Sequence, residues 1–301
     1  MKFRVRNWNK VLGVIGRKFM STESEWNPKV LLGRTVVAIL PEKTLHRVKK
    51  TYYSFLLEHL PKDWQEQDAG LVEYLVHAGD RVIDIGASIG GFTKLLSSLV
   101  GPAGRVYSFE PNPPIYDFLS HNVRRLKLSN VEIFKCALSD KQGTTTMVTP
   151  RYRWGSECHY DATLEANRAE VDCRRAEIAT STLDSFSFDR GERITFIKCD
   201  VNYHELACMR GGLQTIRKCA PALLIEILPN PDKIGGPAAQ VFELLERCGY
   251  VGYWFDGQRL RKRERGERSQ NYFFLTPAHI DQLPSRLLEP QEAAASDNLN
   301  A

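Results

Sequence analysis

Between residues 81 and 112 the chain reads RVIDIGASIGGFTKLLSSLVGPAGRVYSFEPN, and this stretch restricts the fold more than any other. Val82, Ile83 and Ile85 form an apolar run interrupted only by Asp84, and the run breaks into glycines at 86, 90 and 91. A segment with helical spacing follows, then a second apolar run over residues 106–109, closed by Glu110. Strand, glycine loop, helix, strand and terminal acid stand in the order of a nucleoside-binding βαβ unit. A helix between two strands leaves no hairpin route, so the strands must lie parallel in one sheet. The glycines let backbone approach a ligand closely. Glu110 follows Gly86 at roughly the 20-residue interval that brings a carboxylate to both hydroxyls of a ribose. The chain is therefore expected to be an enzyme that uses a nucleoside cofactor.

Two cofactors compete for this loop. A dinucleotide fingerprint runs G-x-G-x-x-G and faces a pyrophosphate. Here the loop runs G-x-x-x-G-G, with Asp84 two residues before its first glycine. A carboxylate there repels a diphosphate but suits S-adenosylmethionine, which carries a sulfonium and an ammonium and no phosphate. Opposite charges about 4 Å apart in a partly dry cleft attract by several kcal/mol before desolvation is counted. S-adenosylmethionine is the expected cofactor. Its contacts are expected from Asp84, Gly86, Ala87, Ser88 and Gly90 of the loop, and from Glu110, Pro111 and Asn112 after the second strand. Ala137 and Asp140 after the third strand flank the adenine, and Asp200 closes the fourth. Each acid also has a plainer role: Asp84 in satisfying loop amides, Glu110 and Asp200 in capping helices, Asp140 in a turn.

The blocks SFEPNPPIYDFLSHNVRRLKLSNVEIFKCALSDKQG, STLDSF, ITFIKCDVNYHEL, MRGG and PALLIEI extend this reading. In this order they resemble the FkbM-type family of S-adenosylmethionine-dependent methyltransferases, over about residues 80–276. The resemblance implies a class I methyltransferase fold, a Rossmann-like, doubly wound and mostly parallel sheet of seven strands. Two positions depart from the family pattern. Ser88 stands where Asn is usual, and Asn202-Tyr203 replaces the Glu-Gly of a D-V-E-G-x-E block.

Apolar runs place strands at 81–85, 105–109, 131–135, 194–199 and 222–227, with helices at about 91–99, 114–127, 204–217 and 237–247. This alternation is that of a doubly wound parallel sheet. Runs at 251–255 and 272–275 are expected to form a closing antiparallel pair. Residues 1–67 form an N-terminal basic and helical extension, 68–278 the catalytic domain, and 279–301 a tail that is partly disordered. Residues 147–173 interrupt the alternation and are read either as a lid or as a structural hairpin. As a lid they would bring Arg151, Arg153, Trp154 and His159 to the substrate.

Of the 301 residues, 43% are hydrophobic, enough for one large α/β core. The seven cysteines show no C-x-x-C spacing, and no secretion signal is read, so a reduced cytoplasmic protein is expected. Lys2, Arg4, Arg6, Lys10, Arg17 and Lys18 stand without an acid among Val11, Leu12, Val14, Ile15 and Phe19. That pattern reads as a peripheral membrane contact, an organelle-targeting peptide or a solvated arm. A second basic cluster at 259–268 reads as a solvated hairpin tip or a grip on an anionic substrate. It lacks interleaved aromatics, so no nucleic-acid partner is expected. The sequence does not specify an oligomeric state.

Methyl transfer requires alignment of acceptor, methyl and sulfur, exclusion of water, and, for an alcohol, removal of a proton. His204 is the first candidate base, since imidazole titrates near neutrality, with Asp200 and Glu205 next. Asn202, Tyr203, Trp154, Arg153 and Glu226 are candidate substrate contacts. Asp200, Glu205 and Glu226 with Asn202 would suit magnesium if they converged, and a metal is left unassigned. The expected activity is methylation of a hydroxyl on a sugar, glycan, lipid or natural product, an acceptor class implied by the resemblance. The alternatives are a cofactor-binding protein with altered catalysis, motivated by Asn202-Tyr203, and a nicotinamide-dependent oxidoreductase.

Overall fold

The computed structural model describes residues 41–59, 68–150, 162–164, 173–186, 188 and 193–289. In chain order its elements begin with α1 (Glu42–His59), α2 (Ala69–Leu75), β1 (Arg81–Ile85), α3 (Gly91–Val100), β2 (Arg105–Phe109), α4 (Pro113–Arg125) and β3 (Val131–Phe134). Four strands follow: β4 (Ala137–Leu138), β5 (Gly143–Pro150), β6 (Thr163–Leu164) and β7 (Cys173–Ser181). The chain then returns through β8 (Ile194–Cys199), α5 (Glu205–Gly211), α6 (Leu213–Cys219), β9 (Ala222–Glu226) and α7 (Pro237–Glu246). It closes with β10 (Val251–Phe255), β11 (Leu260–Lys262), β12 (Asn271–Leu275) and α8 (Pro277–Ile280).

The main sheet has the order β11-β10-β12-β9-β8-β1-β2-β3. The five strands from β9 to β3 are parallel, and β12, β10 and β11 pair antiparallel beyond them. The chain runs outward from β1 to β3 and returns beside β1 as β8, so the strand order reverses between β1 and β8. Helices cover both faces, which is why the strands read as nearly continuous apolar runs. Ile83 and Ile85 pack with Tyr107, Phe109, Ile197 and Ile225 on one face. Val82, Val106, Phe196 and Phe273 pack with Leu96 and Val100 on the other.

Three features differ from the expected pattern. The sheet has eight strands, because the supposed hairpin tip supplies β11. Leu260 is buried there, and Arg261 pairs with Asp256 at 2.9 Å and Glu289 at 2.7 Å. The helix expected over 204–217 is two helices broken at Gly212. Asp184, from a separate turn, accepts the amides of Gln214 at 2.9 Å and Thr215 at 2.8 Å, and so starts α6 afresh. Past residue 278 the chain stays on the sheet as far as 289, with Leu283 and Leu287 buried in the core.

Strands β4 to β7 build a second sheet, of order β4-β7-β5-β6, in which β5 and β7 pair antiparallel from Gly143↔Thr180 to Pro150↔Cys173. The ends of the 147–173 insertion are thus arms of a hairpin. Arg151, Arg153, Trp154 and His159 lie outside the described residues, as do the basic arm at 1–20 and the chain beyond 289. No helix among the described residues is long and apolar enough to cross a membrane.

Helix α1 docks on α4 and reaches the glycine loop. His46 and Lys50 both hold Asp117 at 2.6 Å, and the His46 ring stacks on Phe118. Beneath them the buried Ser54 hydroxyl donates to Asn122 Oδ1 at 2.7 Å, while Asn122 Nδ2 donates to the Ile89 carbonyl at 2.8 Å. Asn122→Ala removes both bonds and strands two buried groups. It is expected to cost about 2 kcal/mol, read as a lower midpoint in urea unfolding, with the glycine loop more exposed to hydrogen exchange.

Candidate active site

The switch point brings two backbone segments into contact. Gly86 has φ +80°, and a Cβ there would lie 1.9 Å from the Asp200 carbonyl oxygen. Only glycine lets the ends of β1 and β8 approach so closely. The Asp200 amide donates to the Ile85 carbonyl at 3.0 Å, and the amides of Gly86 and Ala87 both donate to the Phe109 carbonyl at 3.0 Å. Ser88 takes φ +52°. Asn tolerates this left-handed region better than most residues, so a small serine preserves the turn that the family's usual asparagine makes.

Glu110 is buried and clamps this loop. Its Oε2 accepts the Ser88 amide and its Oε1 the Asn112 amide, each at 2.9 Å, and burial pushes its carboxyl up to about 7. A carboxylate offers about four acceptor positions, so both oxygens keep capacity for the two hydroxyls of a ribose. Asp84 is fully buried at the foot of the loop. Its Oδ2 accepts the Thr93 hydroxyl at 2.6 Å, whereas its Oδ1 has no partner. Desolvation raises its pKa against the opposing pull of Lys198. An unpartnered buried carboxylate oxygen beside a glycine loop fits a cationic ligand group and opposes a phosphate.

Beyond β8 and β9 lies a cluster of acids around one buried base. Lys198 faces the side of β8 that meets Asp84 across the sheet, pairs with Asp200 Oδ2 at 3.1 Å, and lies 5.2 Å from the centre of the Phe92 ring. Glu226 ends β9 beside Asp200 at the end of β8; burial first, then the Asp200 charge, push it up to about 8. Glu205 folds back on its own loop and accepts the Tyr203 amide at 3.0 Å, and burial raises it to about 7. Among the described residues, no group of three or more His, Cys, Asp or Glu is placed to hold a metal ion.

The loop after Asp200 takes an unusual path. Asn202 and Tyr203 have φ +51° and +77°, successive left-handed residues. The family's glycine at position 203 therefore answers a backbone requirement that tyrosine meets under strain. Asn202 Nδ2 donates to the Ala162 carbonyl at 3.3 Å, and the Asn202 carbonyl accepts the Thr163 hydroxyl at 3.0 Å. The amide thus ties the second sheet to this loop, a bond to a carbonyl that a glutamate carboxylate cannot donate. His204 follows, half-buried, with Nε2 3.0 Å from Ser139 Oγ, which lies 3.3 Å from Asp140 Oδ1. Burial lowers the His204 pKa. Gly211 lets α5 pass the same turn, since a Cβ there would lie 1.8 Å from the Ser139 carbonyl oxygen.

The sequence-nominated residues thus fall into two groups on either side of the Gly86–Asp200 contact. Asp84, Gly86, Ala87, Ser88, Gly90, Glu110 and Asn112 surround the loop. Asp200, Asn202, Tyr203, His204, Glu205 and Glu226 surround the ends of β8 and β9. Ala137 is buried and Asp140 exposed on the turn that His204 reaches. Sequence reasoning did not nominate Lys198 and Thr93. A lysine inside the apolar run ITFIKC was the available signal for the first.

A doubly wound sheet of this strand order, with a phosphate-averse glycine loop and strand-end acids, defines an S-adenosylmethionine-dependent methyltransferase class. The model of the methyltransferase FkbM domain matches residues 84–251, more than half of the chain. The chain belongs to the FkbM methyltransferase family, and S-adenosylmethionine is its cofactor. Among solved structures it is similar to the methyltransferase FkbM from Methylobacillus flagellatus, at 16% identity and a TM-score of 0.42 over 74% of this chain and 47% of that one. The chain thus spans about half the length of that protein. It is also similar to a SAM-dependent methyltransferase from Aquifex aeolicus, at 18% identity and a TM-score of 0.37, over 69% of this chain and 87% of that one. A third likeness is to Aeropyrum pernix fibrillarin with natively bound S-adenosyl-L-methionine, at 15% identity and a TM-score of 0.38, over 68% and 71% of the two chains. No curated protein matches.

The raised carboxyls make stability depend on pH. Glu226, Glu110 and Glu205 hold protons in the folded state up to about 8, 7 and 7, whereas unfolded glutamate releases its proton near 4.5. The folded form binds more protons across that interval, so stability falls as pH rises from about 4.5 to 8. The thermal midpoint of the ligand-free protein is expected to decline over this range. Glu226→Gln should flatten the portion above pH 7.

Proposed function

We propose that the chain transfers a methyl group from S-adenosylmethionine to a hydroxyl oxygen, with the Asp200–Glu226 pair receiving the acceptor's proton. The observation that carries this reading is the meeting of two acids, Asp200 and Glu226, at the adjoining ends of β8 and β9, beside the cofactor loop. When bound, the cofactor supplies an electrophilic methyl on a good leaving group. Asp84 Oδ1 is suited to a cationic group and Glu110 to the ribose hydroxyls. The protein's remaining task is to align the acceptor and accept its proton as the new bond forms.

Of the candidate bases, the pair fits this task best. Burial, and after it the neighbouring Asp200 charge, push Glu226 up to about 8, so it becomes a proton acceptor above that pH. Lys198 holds Asp200 in place. His204 is tethered toward Ser139, on the side where the adenine is expected, which supports a positioning role for it. Glu205 is occupied with its own loop amides.

Two measurements test this. In calorimetry with S-adenosylhomocysteine, Glu110→Ala is expected to weaken binding at least tenfold, with a smaller loss for Asp84→Asn. Undiminished binding in both variants would remove these acids from the cofactor site. With an acceptor in hand, turnover should rise with pH to a plateau above about 8, and Glu226→Gln should abolish that limb. A limb centred below 6.5 and lost in His204→Gln would instead assign the base to the histidine.

A further inference from the structure

Among the described residues, five large hydrophobic side chains are exposed, and three of them stand in one row on one helix. Val48, Tyr52 and Phe55 of α1 are 47%, 39% and 57% exposed. Spacings of four and three residues put them on a single face, and His59 extends the row by stacking on the Phe55 ring at 4.1 Å. Apolar side chains exposed singly are ordinary, whereas an aligned row is a contact surface.

The row lies opposite the side on which α1 is docked. His46, Lys50, Tyr53, Ser54 and Leu57 pack toward α4 and the glycine loop. At about 3.6 residues per turn, Val48, Tyr52 and Phe55 point the other way. The helix thus has two contact faces, and the fold uses one.

Charge decides the occupant of the other. Lys43 and Arg47 are exposed beside the row, and Arg124 is exposed in the last turn of α4. Glu58, near the far end of α1, is already held by Arg125 at 2.7 Å. Upstream in the sequence, residues 1–20 add six basic side chains and no acid. An apolar row edged by cations suits a helix lying in the headgroup layer of an anionic membrane. A second copy of the chain fits worse, because it would bring the same cations against these. Three half-exposed side chains also fall well short of the roughly 800 Å² per partner that a stable dimer buries.

We propose that the outer face of α1 docks the protein on anionic lipid, with Val48, Tyr52 and Phe55 entering the interface and Lys43 and Arg47 meeting the headgroups. The inference is independent of the acceptor and of the group that takes its proton. Ser54 and Asn122 bond the same helix to the glycine loop, so docking holds the cofactor site at the lipid surface.

The test is flotation of the full chain with vesicles of phosphatidylcholine, alone or with about one-third phosphatidylserine. Binding to the anionic vesicles is expected to be at least tenfold stronger and to fall as salt is raised. In the double variant Tyr52→Ser, Phe55→Ser it should drop at least fivefold. The thermal midpoint and the heat of S-adenosylhomocysteine binding should stay unchanged there, which separates lost docking from lost folding. Arg47→Glu should weaken vesicle binding as well. Equal binding to both kinds of vesicle, or binding to neither, would overturn the proposal. So would anionic binding undiminished in the double variant, which would place the contact on cations elsewhere in the chain. Sedimentation equilibrium covers the remaining occupant: a dimer that the double variant dissociates would give the face to a second copy and likewise overturn the proposal.

Discussion

Lys198 is a single buried ammonium set among Asp84, Asp200 and Glu226, and the site's electrostatics depend on it. At 3.1 Å from Asp200, two unit charges at an effective dielectric of about 20 attract by roughly 5 kcal/mol. Desolvation of the lysine offsets much of that gain, and the partial exposure of Asp200 screens the rest. One cation cannot balance three anions in this largely buried site. A proton must stay on the cluster, and Glu226 is the group that keeps it. In the proposed reading, the acids buried beside the glycine loop leave a proton acceptor next to the cofactor.

The same site explains the departure from the family pattern at 202–203. Read against the family, loss of a glutamate looks like loss of catalytic charge. Within the structure, Asn202 supplies a donor that no carboxylate has, and with Thr163 it fastens the loop to the second sheet. Asn112 makes a second tie to that sheet, its Nδ2 lying 3.3 Å from Thr149 Oγ1. The second sheet is therefore tied both at Asn112, beside Glu110, and at the loop after β8.

Much of the fold was legible because its determinants are local. The βαβ order, both apolar faces of the central strands and the glycine loop all follow from patterns within some thirty residues. The acids also announced themselves, as strand-end residues on a parallel sheet. What escaped was set by contacts between distant segments. Asp184 starts α6 from thirty residues away, so the continuous periodicity over 204–217 concealed a break. β11 was hidden in a basic run, because Arg261 is matched by Asp256 and Glu289, acids that lie outside it. The role of Lys198 follows from its neighbour across the sheet, and sequence spacing carries no trace of that register.

The turn at Ser139 shows how the two halves of the site are held in one geometry. If its hydroxyl donates to Asp140, His204 must donate Nε2–H to it, and the imidazole is fixed in one tautomer. Burial lowers the histidine's pKa, so this neutral form persists through the physiological range. Gly211 then lets α5 close down on the same turn, where any side chain would collide with the Ser139 carbonyl. The loop after β8 is thus anchored to the turn after β4 by one hydrogen bond and one backbone contact. Its path also presents the Tyr203 ring to the opposite side, toward Ile227 and α7. In the proposed reading, a histidine that fixes that path bears on the alignment of the reactants.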